Sequence, residues 1–270
     1  MTTTALVTDS TSYLPPELAE QLGIHVVPLH VTLGEWSFAE PEVSPSEFYK
    51  RLRESGLSPT TSQPSPGQFL QAFSASGADR VLCLTCTASL SGTHSSALLA
   101  AGMSPVPVDV VDSGTISGGL CLVAAEVGRA LAAGMPHDEA VALARSLAGR
   151  VASTWTSDTT ALLQSGGRLS DDVPEGVPVL ALEGTVRVLG AARSVEEAIS
   201  LQARTIRAAA AASPTRVTVG HGDVPELADA LEAALTGAPG VLGIDRYVVG
   251  PVIGAHAGAG NVGASYLRGA

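Results

Sequence analysis

Three strings rich in hydroxyls and glycine carry the side chains of this sequence that could do chemistry: Pro59-Thr-Thr-Ser-Gln-Pro-Ser65, Ser89-Leu-Ser-Gly-Thr93 and Gly250-Pro-Val-Ile-Gly-Ala-His-Ala-Gly258. Each falls where an apolar segment ends. Such strings offer neutral hydrogen-bond donors to an anion without placing a charge beside it. That chemistry suits a carboxylate head group better than hydrolysis. In the first string Thr61 and Ser62 lie between Pro59 and Pro64, which stiffen the backbone and hold the hydroxyls in place. Preorganised donors lose less entropy on binding. The same residues also read as a turn that caps the helix after Pro66. In the second string Ser91-Gly-Thr93 precedes a helix, so free amides and the positive end of the helix dipole face whatever binds there. Gly92 permits close approach, Thr93 is expected to cap the helix, and Ser89 stands near enough to assist. In the third, His256 shares a loop with Gly254, Gly258 and Gly260, and reads either as structural or as a head-group contact.

These strings need elements to position them. The first half alternates short apolar runs with helical patterns, the signature of a parallel sheet covered on both faces. Ala5–Thr8 and Ile24–Thr32 read as the first two strands, around a helix over Pro15–Leu22 whose prolines sit in its first turn. Ser44 with Glu47 opens a second helix by a capping box. Further strands are expected at Val81–Leu84 and Val106–Val111, with helices after Pro66, over Thr93–Ala101, over Gly118–Ala133 and over His137–Ala148. Asp9-Ser10 and Asp112-Ser113 each stand at the carboxyl end of a strand, where ligands collect in open α/β sheets. Capping of the next helix is the other reading. After Arg150 the pattern becomes α+β. A short helix lies near Thr159–Gln164, a turn at Gly166-Gly-Arg168, paired strands around Val177–Leu182 and Thr185–Leu189, helices over Val195–Ala212 and Pro225–Leu235, and strands at Arg216–Gly220 and near Gly243–Val249. The fold expected is α/β in two domains, a three-layer α/β/α parallel-sheet domain over 1–150 and a smaller α+β domain over 151–270.

Composition narrows the partners. The 270 residues exceed the usual ~100–200 per domain. A net charge of -11, with Lys50 the sole lysine, argues against nucleic acid, which needs clustered cations to neutralise phosphates. No apolar run approaches the ~18–20 residues of a membrane span, and the opening residues lack a signal-peptide pattern, so a cytoplasmic location is expected. Cys83 and Cys86 read C-x-x-C, yet on a strand positions three apart face opposite sides, so both are expected to pack rather than pair. No P-loop, nucleophile elbow or His/Glu pair at metal spacing is present, and no metal is expected. Gly258-Ala-Gly-Asn-Val-Gly263 matches a dinucleotide fingerprint by letter but lacks the βα unit that gives it meaning.

Taken together, Val7-Thr-Asp-Ser-Thr-Ser12, Leu14-Pro-Pro-Glu-Leu18, Val27-Pro-Leu29, the pair Thr60-Thr-Ser-Gln-Pro-Ser65 and Leu90-Ser-Gly-Thr93, and the final His256 string resemble the DegV family. Its members are bacterial fatty-acid-binding proteins that serve an acyl kinase. The resemblance covers nearly the whole chain. It implies a long-chain fatty acid as ligand with no other cofactor, its carboxylate held by Thr61, Ser62, Ser91, Gly92, Arg168 and His256, with Ser10 and Ser89 in support. The tail would lie in a tunnel between the domains, with the chain from about 250 returning to the site. It also implies a partner fatty-acid kinase that phosphorylates the carboxylate, Arg193 as a contact to it, at most transient membrane contact, and no catalysis by this chain. Two departures stand out. Ala259 occupies a position where the family has proline, which implies a looser loop. Ser170-Asp-Asp-Val-Pro174 replaces a longer segment, which bears on kinase docking and tunnel depth. The rivals are a Ser-dependent hydrolase or phosphotransfer enzyme using Ser10 or Ser91, and a ligand-free regulatory scaffold.

Overall fold

Alternating strands and helices build the first unit in the structure, a computed structural model that describes residues 2–157, 160–169 and 173–269. β1 (Thr4–Asp9) runs into a 3-10 turn at Ser10–Ser12, followed by α1 (Pro16–Gln21) and β2 (Ile24–Val27). β3 (His30–Leu33) and β4 (Trp36–Ala39) form a hairpin, and a 3-10 turn at Glu40–Glu42 leads into α2 (Pro45–Ser55). β5 (Thr60–Ser62), α3 (Pro66–Ala75), β6 (Arg80–Thr85), α4 (Thr93–Met103) and β7 (Val108–Asp112) follow. α5 (Gly118–Ala132) and α6 (His137–Ala148) complete the unit.

The run expected as one second strand is two. β2 joins β1 in the parallel sheet, whereas β3 turns away into a separate antiparallel sheet of order β4-β3-β5. Pro28 stands at the break and has no amide for a ladder. The next amide, Leu29 N, donates to Ser10 Oγ at 3.0 Å instead of to a strand.

The parallel sheet has the order β2-β1-β6-β7. Strand alternation divides its side chains between two faces. Leu6, Leu82 and Leu84 pack with Leu120, Val123 and Ala140 of α5 and α6. Val7, Val81 and Cys83 pack with Phe69, Phe73 and Ala97 of α3 and α4. Cys86 belongs to the first cluster and Cys83 to the second, so the two thiols diverge as their spacing predicts.

The second unit holds β8 (Val151–Thr156), α7 (Ala161–Ser165), β9 (Val177–Glu183), β10 (Thr185–Ala192), α8 (Val195–Ala212) and β11 (Thr215–His221). It ends with α9 (Pro225–Leu235), β12 (Val241–Val248), α10 (Pro251–Ala257) and β13 (Val262–Arg268). Thr159 and Ser170–Asp172, part of the expected short helix and of the shortened segment, lie outside the described residues. The strands form one six-stranded sheet, β10-β9-β8-β13-β11-β12, in which only β11 and β12 pair in parallel. β13, which the sequence pattern did not reveal, lies inside it between β8 and β11. The string holding His256 is also not a loop but the short helix α10.

Candidate ligand-binding site

A cavity lies between the carboxyl ends of the parallel strands and the six-stranded sheet. Its walls are chiefly apolar, with Leu29, Leu90, Ile116, Trp155, Leu182 and Val252 contributed by both units.

Four residues singled out by the sequence line it together: Thr61, Ser91, Arg168 and His256. Thr61 is held on β5 by its register opposite Val31. His256 sits on the last turn of α10, and its Nε2 is 2.8 Å from Thr61 Oγ1. Burial, reinforced by the nearby Arg168 cation, pushes His256 down to about 4. The ring is therefore neutral at pH 7 and carries one N–H, so one hydroxyl–imidazole hydrogen bond links the pair. Arg168 follows the Gly166-Gly167 turn, where Gly167 takes φ +68°, a conformation glycine adopts without strain. Its Nε donates to Leu90 O at 3.2 Å and its Nη1 to Gly166 O at 3.2 Å. These neutral carbonyls orient a half-buried guanidinium that has no carboxylate partner among the described residues. Ser91 Oγ shares a hydrogen bond with Thr93 Oγ1 at 2.8 Å and accepts from Thr93 N at 3.3 Å. Three neutral polar groups and one cation with no carboxylate partner among the described residues thus line one mostly apolar cavity, an arrangement complementary to an anion with a hydrocarbon tail.

A buried carboxylate holds α10 in place. Glu40 accepts from Ser10 Oγ at 2.6 Å, from Tyr13 Oη at 3.0 Å and from Val252 N at 2.8 Å. Burial pushes its carboxyl up to about 7. Tyr49 of α2 donates to Val249 O at 3.1 Å, just before α10. Ala259, expected to loosen the loop, packs against the cluster of Leu29, Phe48 and Val252, and Gly260 N donates to Gly222 O at 2.9 Å. That loop is anchored.

The remaining expected site residues are placed elsewhere. Ser62 is exposed, because strand alternation turns it away when Thr61 faces inward. Gly92 does not line the cavity. It is the N-cap of α4, and a Cβ there would come within 2.1 Å of the Gln63 side chain, so glycine makes room for Gln63. Thr93 is the first helical residue rather than the cap. Ser10 is buried, its Oγ donating to Glu40. Ser89 Oγ donates to Gly184 O at 2.7 Å, tying its loop to the β9–β10 turn. Asp9 accepts from Thr11 N at 3.1 Å and Cys86 N at 2.7 Å, and Asp112 from Gly114 N at 2.8 Å and Ala88 N at 3.1 Å. Each thus caps its own turn and ties it to the segment that follows β6. Arg193 lies on the surface, its side chain 93% exposed and paired with Glu197. Ser117, Trp155, Tyr247 and Asn261 line the cavity without any motif to announce them. Their orientation depends on how the sheets assemble, which the strand pattern alone does not give.

Among the described residues, no group of three or more His, Cys, Asp or Glu could hold a metal ion, and no helix is long and apolar enough to cross a membrane.

Comparison with known proteins decides the family. The DegV profile, described as an uncharacterised protein of that family, matches residues 3–269. The chain belongs to the DegV family. A DegV domain-containing protein of Streptomyces coelicolor is 36% identical over 271 residues, covering 96% of each chain. A solved DegV protein from Thermus thermophilus, described by its fatty acid binding, superposes with a TM-score of 0.90 at 33% identity, covering 99% of this chain and 100% of its own. DegV of Bacillus subtilis, described as a fatty acid binding protein, gives a TM-score of 0.90 at 27% identity, covering 99% and 100%. The two-domain DegV fold is therefore the fold of this chain.

Proposed function

We propose that this DegV protein binds one long-chain fatty acid and presents its carboxylate to a partner kinase, which phosphorylates it with ATP. The observation that carries this reading is the neutral Thr61–His256 pair beside Arg168 in a mostly apolar cavity. Arg168 and the hydroxyls of Thr61 and Ser91 hold the carboxylate. Each acyl methylene buried contributes about 0.8 kcal/mol, so affinity comes from the tail and orientation from the head group. Fatty acid binding described for the Thermus and Bacillus relatives supports the same assignment. In the kinase step a carboxylate oxygen forms a bond to the γ-phosphorus as ADP departs, and this chain supplies positioning. The exposed Arg193 is offered as a contact to that kinase.

A serine hydrolase receives no support. Ser91 is engaged with Thr93, Ser10 with Glu40, and His256 with Thr61, so neither serine has a histidine partner among the described residues.

Mass spectrometry of the purified protein, native and then denatured, tests the binding. A released fatty acid near one-to-one stoichiometry is expected, with occupancy lost in a Thr61→Ala, Ser91→Ala double variant. Absence of any fatty acid after incubation with a mixture would overturn the reading. Conversion of added fatty acid to acyl phosphate by an acyl kinase with ATP, dependent on this protein, tests presentation.

A further inference from the structure

Among the hydroxyl residues that line the cavity outside the carboxylate site, two form a pair across the units. Ser117 Oγ and Tyr247 Oη are 2.7 Å apart, and both residues line the cavity. They belong to the segment entering α5 and to β12, elements that contribute nothing to the Thr61, Ser91, Arg168 and His256 group. The Tyr247 ring stacks on Tyr13 at 5.9 Å and lies against Gly220, where a Cβ would come within 2.3 Å of it. The phenol is thus fixed in one place.

A proton count shows what the pair lacks. Tyr247 Oη accepts from Gly118 N at 3.1 Å. The two hydroxyls share one further hydrogen bond, in which only one of them can donate. Neither has another partner among the described residues, so one O–H remains undirected in a mostly apolar space. Beside it, Thr218 Oγ1 is also without a partner among the described residues, on a residue 3% exposed, and a Cβ on Gly118 would come within 2.2 Å of that atom. Hydroxyls left unmatched in an apolar wall are costly.

Resting on the fatty-acid reading above, we infer that Ser117 and Tyr247 form a second polar subsite that takes an oxygen carried on the acyl chain, making oxygenated fatty acids, such as hydroxy acids, preferred ligands. The spare O–H donates to the chain oxygen. A wholly apolar cavity would give the opposite order, because burying a chain hydroxyl without a partner weakens binding.

Competition binding separates the cases. The probes are octadecanoate and a series of hydroxyoctadecanoates with the hydroxyl moved along the middle of the chain. One or more isomers are expected to bind about three- to tenfold tighter than octadecanoate, the range of one net hydrogen bond. The ratio should fall to one or below in a Ser117→Gly, Tyr247→Phe double variant. Glycine is chosen because Ser117 has φ +60°, which glycine adopts without strain. If octadecanoate binds but every hydroxylated isomer binds more weakly to the unaltered protein, the subsite is overturned and the fatty-acid reading stands. A preference that survives in the double variant overturns it too. If neither class binds, the fatty-acid reading itself fails.

Discussion

Burial holds His256 down and pushes Glu40 up, so the two respond to pH in opposite directions. A carboxylate set against His256 favours the imidazolium, raising a group that stands at about 4 in the free protein. Ligand binding near pH 6 should therefore take up protons. Calorimetry in two buffers of different ionisation enthalpy would read this as a buffer-dependent binding heat, and an identical heat in both would refute it. For stability, the depressed His256 favours the fold above its unfolded value of 6.5 and loses that contribution as pH falls towards 4. The raised Glu40 does the reverse, with stability present below 4.5 and lost as pH rises through about 7. A Glu40→Gln variant removes the second effect alone. Its unfolding free energy should rise relative to wild type between these two pH values, by at most about 3 kcal/mol. Urea denaturation across that interval checks the slope, and parallel curves would show that Glu40 does not titrate on unfolding.

α10 is the element on which the site depends, and glycine sets how closely it packs. A Cβ at Gly254 would lie 2.6 Å from Tyr49 Oη and 2.9 Å from the Phe48 ring of α2. Gly254→Ala should destabilise the protein by about 1–3 kcal/mol and weaken fatty-acid binding as His256 is displaced from Thr61. A thermal midpoint and affinity both unchanged would show that this contact does not position the histidine. The same helix marks where sequence reading stopped. Long amphipathic segments such as Val195–Ala212 and Pro225–Leu235 are legible because their own periodicity defines them. Pro251-Val-Ile-Gly-Ala-His-Ala257 has a proline, a glycine and too few residues to persist alone, so it reads as loop. Packing on Phe48 and Tyr49, and the Val252 amide bonded to Glu40, make it helical. Thr61, Ser91, Arg168 and His256 were visible because each sits in a local string. Ser117 and Tyr247 were not, because their meeting depends on α5 and β12 coming together across 130 residues.

At the scale of the molecule, a ligand in the cavity touches both units at once. Binding should stabilise the folded chain by about 2.7 kcal/mol when ligand exceeds its dissociation constant a hundredfold. A rise of several degrees in the melting temperature is expected on adding fatty acid, graded with concentration. No rise with a ligand that mass spectrometry finds bound would mean that it contacts a region already unfolded at the midpoint. Gly184 joins the units, its carbonyl accepting from Ser89 Oγ and its N–H donating to Gly114 O at 3.3 Å, and that amide should gain protection from hydrogen exchange on loading.

The central place of β13 also governs how the chain is made. Ser153 of β8 meets Ser265 of β13 across 112 residues of sequence. At about 5–20 residues per second, β8 leaves the ribosome roughly 6–22 s before the strand that completes its ladder. During that interval the edge of β8 that will meet β13 is unpaired, the condition that invites association with other nascent chains. The six-stranded sheet, and with it the cavity, can close only after β13 has emerged, so this half of the protein waits on the last of its strands.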